Sequence, residues 1–292
     1  MEDQLGVFEA NRGRLFGLAY RMLGEAAEAE DVVQESYLRW ARSGPVEVPA
    51  AWLTKVVTNL CLTHLTSARA RRERYVGPWL PEPVLTEGDP LGPLETVEQR
   101  DSVSVGVLML LERLTPPERA AFVLREAFGY THAEIAEVLD ANEARVRQLY
   151  RRARQHLRQD RQRFEADPER GAEIVQRFLA AALEGDVDGL ERLLATDAGA
   201  WADGGGKGAA SRVPVFGADR VAALLARLLG SRLAAGMEFE VRQVNGGPAI
   251  VVWQEGGTLA AVSCCEVVGD RLTAVRTVVN PDKLAFVSSQ LT

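Results

Sequence analysis

The chain has 292 residues, and its 34 basic against 41 acidic side chains give a formal net charge of -7. This balance excludes a protein coated uniformly in positive charge, so a nucleic-acid site would have to concentrate its basic residues locally. A length of 292 residues with 47% hydrophobic side chains predicts two or three folded domains rather than a disordered chain.

The few cysteine and histidine residues argue against a disulfide framework and against a metal site. Only three of each occur, two of the cysteines, Cys264 and Cys265, are adjacent, and no zinc-type spacing is present. The N-terminus lacks an apolar signal segment, and Arg227, Arg232 and Glu255 interrupt the longest apolar stretches. We therefore expect no metal, no cofactor, no membrane span and a cytoplasmic location.

Residues 1–75 are expected to form a helical domain, because apolar side chains recur there at three- and four-residue steps. Asp31, Gln34 and Glu35 would be neighbours on one acidic-polar helix face, which is either solvated or docks a basic partner. A later helix begins near residue 51 and ends in a basic run. Cations at a helix C-terminus serve the helix itself or contact phosphates, so both interpretations stay open. The candidates for DNA contact on this helix are Asn59, Thr63, Arg69, Arg71 and Arg72.

Residues 76–99 differ in composition from the segments on either side. Proline, glycine and glutamate are concentrated here, which predicts an extended, acidic linker. The five prolines are Pro78, Pro81, Pro83, Pro90 and Pro93.

Residues 100–165 are helical again and contain a helix-turn-helix pattern. Thr131 and Glu134 have the spacing of a capping box at the start of a short helix. After a tight turn, Asn142 is placed to cap a second helix. The early residues of such a recognition helix reach base edges, and guanidinium forks suit guanine or phosphate. The DNA-contact candidates on it are Arg145, Arg147, Gln148, Arg151 and Arg152.

Residues 170–292 begin with helical patterns and then change to alternating, β-rich segments over 238–244, 249–254, 258–268 and 272–279. The expected fold is an α+β domain with a curved antiparallel sheet. Its candidate acid/base residues are Asp203, Glu266 and Asp282, but they form no evident pair and the domain has no histidine. The glycines before Lys207 lack the remainder of a phosphate-binding loop. We therefore expect no catalytic residue.

Three segments resemble one protein family in their order. They are AAEAEDVVQESYLRW (26–40), AWLTKVVTNLCLTHLTSARARRER (51–74) and LERLTPPERAAFVLREAFGYTHAEIAEVLDANEARVRQLYRRARQHLR (111–158). They look like regions 2.1–2.2, 2.3–2.4 and 4 of the extracytoplasmic function (ECF) RNA polymerase sigma factors. The resemblance implies that the 31–35 face binds core RNA polymerase, with the β′ and β subunits as partners. It also implies that region 2 reads the -10 element of promoter DNA and region 4 the -35 element. One departure is His64, where many family members carry an acidic residue.

Three further motifs are WLPEP (79–83) in the linker, and DGGGK (203–207) and NPDKL (280–284) in the C-terminal part. Together they resemble the ECF subgroup with a fused SnoaL-like (NTF2-like) C-terminal domain, the sigma-J type. The resemblance implies two all-α sigma domains followed by an α+β SnoaL-like domain that modulates the sigma factor in cis. We predict that the linker motif docks near the other two, with Lys283 offered as a partner for Glu82; the sign of the regulation is left open. The predicted contact residues are Trp79, Leu80, Pro81, Glu82 and Pro83 in WLPEP, Asp203, Gly204, Gly205, Gly206 and Lys207 in DGGGK, and Asn280, Pro281, Asp282, Lys283 and Leu284 in NPDKL.

Alternative functions belong to other classes. A stand-alone DNA-binding repressor would use the same helix-turn-helix but leaves the acidic helix and the linker unexplained. A SnoaL-type enzyme with a regulatory N-terminal part is the second alternative. An unknown small ligand in the C-terminal domain is a further open question, since SnoaL-like folds form a cone that can hold one.

Overall fold

A computed structural model describes residues 2–72, 75–87, 91, 102–157, 168–207, 210–230 and 235–291. The chain divides into two compact units. The helical unit contains residues 1–74 and 88–161, and the C-terminal unit contains residues 75–87 and 162–292. The chain therefore leaves the helical unit after residue 74, contributes residues 75–87 to the C-terminal unit, and returns to the helical unit at residue 88.

The first part of the helical unit is built from three helices, α1 (Glu2–Leu23), α2 (Ala26–Ala41) and α3 (Pro49–Arg72). Helix α1 packs on both of the others. The apolar residues that recur at three- and four-residue steps in the sequence form the buried stripe of each helix, because such steps return to the same helix face. The buried side chains include Leu15, Leu18 and Met22 of α1, Val32 and Val33 of α2, and Leu53, Val57 and Leu60 of α3.

The second part of the helical unit contains α4 (Val105–Leu111), α5 (Pro116–Glu126), α6 (His132–Val138) and α7 (Glu143–Leu157). The predicted capping box is confirmed: the backbone N–H of Thr131 donates to Glu134 at 2.7 Å, and the N–H of Glu134 donates to the Thr131 hydroxyl at 3.2 Å. Asn142 caps α7 by accepting from the Arg145 N–H at 2.8 Å. Asp140 has a φ of 50° in the turn between them, a conformation that Asp tolerates better than most residues.

The C-terminal unit is an α+β domain. Its elements are α8 (Pro168–Glu184), α9 (Val187–Leu193), β1 (Leu194–Asp203), β2 (Val215–Phe216), α10 (Ala218–Leu229), β3 (Glu238–Val244), β4 (Gly247–Gln254), β5 (Thr258–Val268), β6 (Arg271–Val278) and α11 (Pro281–Leu291). The strands form one sheet in the order β2-β1-β6-β5-β4-β3. The β1–β6 pair is parallel and the other pairs are antiparallel.

The two faces of this sheet have different partners. One face packs against α8, α9 and α10 in an apolar core that includes Phe178, Leu190, Val221, Ile250 and Val267. Because side chains alternate between faces, the register Asp203–Val278–Val262 places these three residues together on the opposite face. Helix α11 packs against that side of β5.

The sequence-based assignment was incomplete: β1, β2 and α11 were not predicted, and the sheet, expected to be antiparallel, contains the parallel pair β1–β6. Strand β1 was not predicted, because LATDAGAWAD contains four Ala, two Asp and one Gly, residue types depleted in strands, and because its partner β6 lies far along the chain. The linker, predicted as one extended segment over 76–99, is divided: residues 75–87 belong to the C-terminal unit. The reason is burial, since Leu80 and Val84 are fully buried and Leu85 nearly so.

Candidate DNA-binding surfaces and linker-docking site

Helix α7 presents its basic residues on an exposed face. The opposite face is buried and carries Val146, Ala153 and Leu157, whose helical spacing places them on one side of α7. All five predicted -35 contacts are exposed, namely Arg145, Arg147, Gln148, Arg151 and Arg152. Arg147 forms an ion pair with Glu143 one turn earlier on the same helix.

Tyr150 fixes α7 against α5. Its ring stacks on Phe122 with centroids 6.4 Å apart, and its hydroxyl donates to the Glu126 carboxylate. Burial and this hydrogen bond raise the pKa of the Tyr150 hydroxyl above its usual value. Helix α7 is therefore held by one face while its basic face stays accessible.

The predicted -10 residues lie on α3. Asn59 and Thr63 are exposed one turn apart, and the Thr63 hydroxyl donates to the Asn59 carbonyl at 3.0 Å. Arg69, Arg71 and Arg72 belong to the last turns of α3, but their side chains lie outside the described part of the structure. The spacing of Asn59 and Thr63 places both on one helix face, and their contact with DNA stays a prediction.

The acidic-polar face of α2 is also where the sequence predicts it. Asp31 and Gln34 are exposed, and Glu35 is half-buried and pairs with Arg39 at 2.9 Å. Val32 and Val33 bury the opposite side of the helix. The contact of this face with polymerase stays a prediction.

Asp203 is the centre of the linker-docking site. It ends β1 and is fully buried. One carboxylate oxygen accepts from the Tyr75 hydroxyl at 2.6 Å and from the Gly205 N–H at 3.1 Å. The other accepts from the Leu80 N–H at 2.8 Å and from the Lys283 ammonium at 2.7 Å. Two of these four donors, Tyr75 and Leu80, come from residues 75–87, so the carboxylate joins this segment to the glycine loop and the C-terminal helix.

Lys283 balances the charge of Asp203 and contacts the linker directly. Its ammonium donates to the Leu80 carbonyl at 2.5 Å. It also lies 4.4 Å from the centroid of the Trp79 ring and 4.7 Å from that of Tyr75, which is cation–π geometry. The residue that the sequence offered as a partner for Glu82 is thus bonded to Asp203, the backbone of Leu80 and two aromatic faces.

The glycine loop allows a close backbone approach. Gly205 has a φ of 56°, and a Cβ there would collide with the side-chain amide of Asn280 and lie 3.0 Å from the Tyr75 hydroxyl. Asn280 in turn donates from its side chain to that hydroxyl at 2.9 Å and from its backbone to the Asp203 carbonyl at 3.0 Å. Lys207 pairs with Asp282 at 2.5 Å at the exposed edge of the site. The glycine loop therefore packs directly against Asn280 and Tyr75.

The linker continues along the end of strand β3. Val84 and Asn245 exchange two hydrogen bonds of 3.1 and 2.9 Å, and the Leu85 N–H donates to Gln290 at 2.9 Å. Glu87 accepts from the Arg242 guanidinium at 2.7 Å, and this hydrogen bond lowers the pKa of Glu87. Sequence reasoning missed these partners and Tyr75, since no motif marks them.

The three predicted motifs are thus brought together around Asp203. Trp79, Leu80, Gly205, Asn280 and Lys283 contact one another or Asp203 directly. The remaining members differ in exposure: Pro81, Glu82, Pro83, Gly204 and Leu284 are buried, Gly206 is exposed with Val76 beside it, and Pro281 and Asp282 are exposed.

The candidate carboxylates of the C-terminal unit are all engaged in ion pairs. Asp203 pairs with Lys283, Asp282 with Lys207, and Glu266 with Arg276. Within the described residues, no group of three or more His, Cys, Asp or Glu side chains could hold a metal ion. Over the same residues, no helix is long and apolar enough to cross a membrane. An open groove of about 370 Å³ lies between α8 and α9, lined by residues that include Arg177, Glu184 and Arg192.

Comparison with known proteins identifies the family. Models of "Sigma-70 region 2" and "Sigma-70, region 4" match residues 7–71 and 104–157. The chain is 42% identical over 220 residues to the ECF RNA polymerase sigma factor SigJ of Mycobacterium tuberculosis, covering 75% of this chain and 70% of the relative. The chain belongs to the ECF sigma factors. Members of this family direct promoter-specific transcription initiation by RNA polymerase.

The similarity of this sigma factor to its relatives extends through the C-terminal unit. It is 32% identical over 292 residues to the probable ECF sigma factor SigI of M. tuberculosis, covering 97% of this chain and 96% of the relative. The crystal structure of M. tuberculosis SigJ matches with a TM-score of 0.77 at 35% identity, covering 97% of this chain and 98% of that one. The predicted fold class is confirmed in that two all-α sigma domains are followed by an α+β domain.

Proposed function

We propose that this sigma factor reads the -10 element through α3 and the -35 element through α7, and that its C-terminal unit modulates initiation in cis by holding residues 75–87. The observation that carries the regulatory part is the Asp203 site. A buried carboxylate there accepts hydrogen bonds from the linker and from Lys283. Such a site is specific for one docked position of the linker.

The charge distribution supports the DNA-reading part. The protein is acidic overall, yet the exposed face of α7 carries four arginines and Gln148 within its first turns. A helix-turn-helix places these early turns in the major groove, where guanidinium groups pair with guanine or phosphate. Asn59 and Thr63 on α3 are small, exposed side chains that can donate and accept hydrogen bonds, which suits contact with the edges of unpaired bases.

The acidic-polar face of α2 is the proposed polymerase contact. Asp31, Gln34 and Glu35 share one face of α2, while the opposite face packs in the core of the helical unit. Charge reversal at Asp31 and Glu35 should weaken binding to core polymerase, through the β′ and β subunits, without unfolding the helix.

Regulation follows from the position of the docked segment in the chain. Residues 75–87 lie between region 2 and region 4, so docking ties the C-terminal unit to the connection between the two DNA-reading domains. Modulation requires different linker contacts in the free and polymerase-bound states. We infer that the docked linker restrains the free protein and is released when polymerase binds. Its acidic side chains then suit the positively charged nucleic-acid channel.

Abortive initiation with purified core polymerase tests this function. The wild-type chain should make short RNA products only from its promoter, whereas a repressor or a SnoaL-type enzyme would support none. Combined alanine substitution at Arg147, Gln148, Arg151 and Arg152 should remove dependence on the -35 element. Trp79→Ala and truncation at Asn280 should raise activity because they weaken the docked state. Activity equal to wild type for both would make the C-terminal unit a passenger.

A further inference from the structure

One arginine on the exposed face of α7 is tied to a carboxylate of its own helix. The Arg147 guanidinium donates through Nη2 to Oε1 of Glu143, one turn earlier. Within the part of the chain that the structure describes, Arg145, Arg151 and Arg152 form no ion pair. Arg147 therefore enters the proposed DNA-contact face with a side-chain direction that its three neighbours lack.

The local sequence explains this pair. Asn142 caps α7 by accepting from the Arg145 N–H, so Glu143 is the first residue of the helix. Long helical side chains lean toward the helix N-terminus, which carries the Arg147 side chain back toward residue 143. A glutamate four residues before a basic residue is the favourable order, and the helix dipole favours a carboxylate in the first turn.

Arg151 adds a push in the same direction. It lies four residues after Arg147 in the same row of the helix surface, and like charges at this spacing repel each other. Attraction by Glu143 and repulsion by Arg151 both move the Arg147 guanidinium toward the N-terminal end of α7. In a helix-turn-helix, this end of the second helix is the part that reaches base edges.

The paired guanidinium can still read a base. Glu143 occupies one of its five N–H groups, and the others can form a two-pronged contact with O6 and N7 of guanine. An arginine without such a partner also reaches phosphates, which position a protein on DNA but carry no sequence information. The carboxylate of Glu143 is repelled by phosphates, so the pair favours the base edge over the backbone.

We propose that Glu143 is a positioning residue that sets the specificity of Arg147 for one guanine of the -35 element. This inference rests on the proposed reading of the -35 element by α7. Glu143 holds the guanidinium at the base edge and away from the neighbouring phosphates, and Arg147 alone contacts the base.

Binding of the holoenzyme to promoters with single-base substitutions in the -35 element tests this role. Arg147→Ala identifies the base pair that Arg147 reads, because discrimination is lost there. Glu143→Gln should lower discrimination at the same base pair by about 2- to 5-fold, the range that an exposed ion pair can supply. Holoenzyme binding to DNA without a promoter should rise, because one negative charge is removed from the DNA-contact face.

The double variant shows whether Glu143 acts through Arg147. In the Arg147→Ala background, Glu143→Gln should change discrimination no further, since the group that it positions is absent. A further loss there, or a loss at a different base pair, would mean that Glu143 contacts a base itself and would overturn the proposal. A lower thermal unfolding midpoint with unchanged discrimination would reduce Glu143 to a helix-stabilising residue and overturn it too.

The matched control is Glu137→Gln. Glu137 is an exposed carboxylate of α6 in the same helix-turn-helix, so the substitution makes the same change in charge. It should leave discrimination at every -35 base pair as in the wild type. A loss equal to that of Glu143→Gln would make the effect one of overall charge and contradict the positioning role.

The Arg147→Ala holoenzyme separates this inference from the proposed function. If it keeps full discrimination at every -35 base pair, the proposed reading by Arg147 is wrong and the role of Glu143 fails with it. If Arg147→Ala loses discrimination at one base pair and Glu143→Gln does not, the proposed function stands and only the positioning role is refuted.

Discussion

Replacing Lys283 by methionine isolates the contribution of the buried charge to linker docking. Methionine keeps an unbranched side chain against the rings of Trp79 and Tyr75 but removes the ammonium. The fully buried Asp203 then lacks its counter-charge and one hydrogen bond. Breaking a buried ion pair by removing one partner costs about 3–5 kcal/mol. For a domain of this size that predicts a fall of about 6–20 °C in the unfolding midpoint of the C-terminal unit.

Lys207→Met is the control for this substitution. Lys207 lies in the same site, but its ion pair with Asp282 has both side chains at least 60% exposed. Its loss should cost about 0–1 kcal/mol. Hydrogen exchange measured by mass spectrometry against temperature, on peptides from β1 and β6, follows the C-terminal unit separately from the helical unit. If Lys283→Met and Lys207→Met unfold within about 2 °C of each other, the charge at Asp203 does not hold the linker.

Three further outcomes follow from other parts of the molecule. Gly205→Ala should destabilise the C-terminal unit by about 1–3 kcal/mol, since φ is 56° and the new Cβ meets Asn280, whereas Gly44→Ala, with open space around it, should be nearly neutral in thermal unfolding. Arg151→Ala should weaken promoter binding by about 1–3 kcal/mol and relax selectivity at one -35 base pair if it reads a base, which binding to a set of single-base promoter variants measures. Arg242 lowers the pKa of Glu87, so the Glu87–Arg242 pair stabilises the docked segment above pH 4.5 and loses this contribution as the pH falls through the lower folded-state pKa. Hydrogen exchange of the Thr86 amide, which donates to Gln243, should accelerate in the wild type over that pH range. Glu87→Gln should remove this pH dependence.

Local chemistry made much of the helical unit predictable. The capping box at Thr131 and the Asn142 cap lie within three residues of their partners, so sequence spacing alone places them. Alternation placed β3 and β5 over the segments that the structure shows. Strand β1 could not be found in this way, because its low-propensity sequence becomes a strand only by pairing with β6.

The linker-docking site was also predictable only in part from the sequence. The motifs at 79–83, 203–207 and 280–284 predicted that these segments meet, but the ion pair of Lys283 with Asp203 depends on the strand register. Strand pairing sets Asp203 opposite Val278, two residues before Asn280, so α11 begins beside the end of β1. Such register is a property of distant segments and is not encoded in either one alone. Tyr75 and Asn245 were missed for the same reason.

The exchange rate of the Leu80 amide tests the central claim most directly. In the free protein this N–H is buried and donates to Asp203 at 2.8 Å, so the peptide covering 75–87 should be protected. Hydrogen exchange should be compared for the free sigma factor and for its complex with core polymerase and promoter DNA. Release of the linker predicts that protection of Leu80 is lost in the complex while the β5 and β6 peptides stay protected. Equal protection of Leu80 in both states would contradict regulation by linker docking.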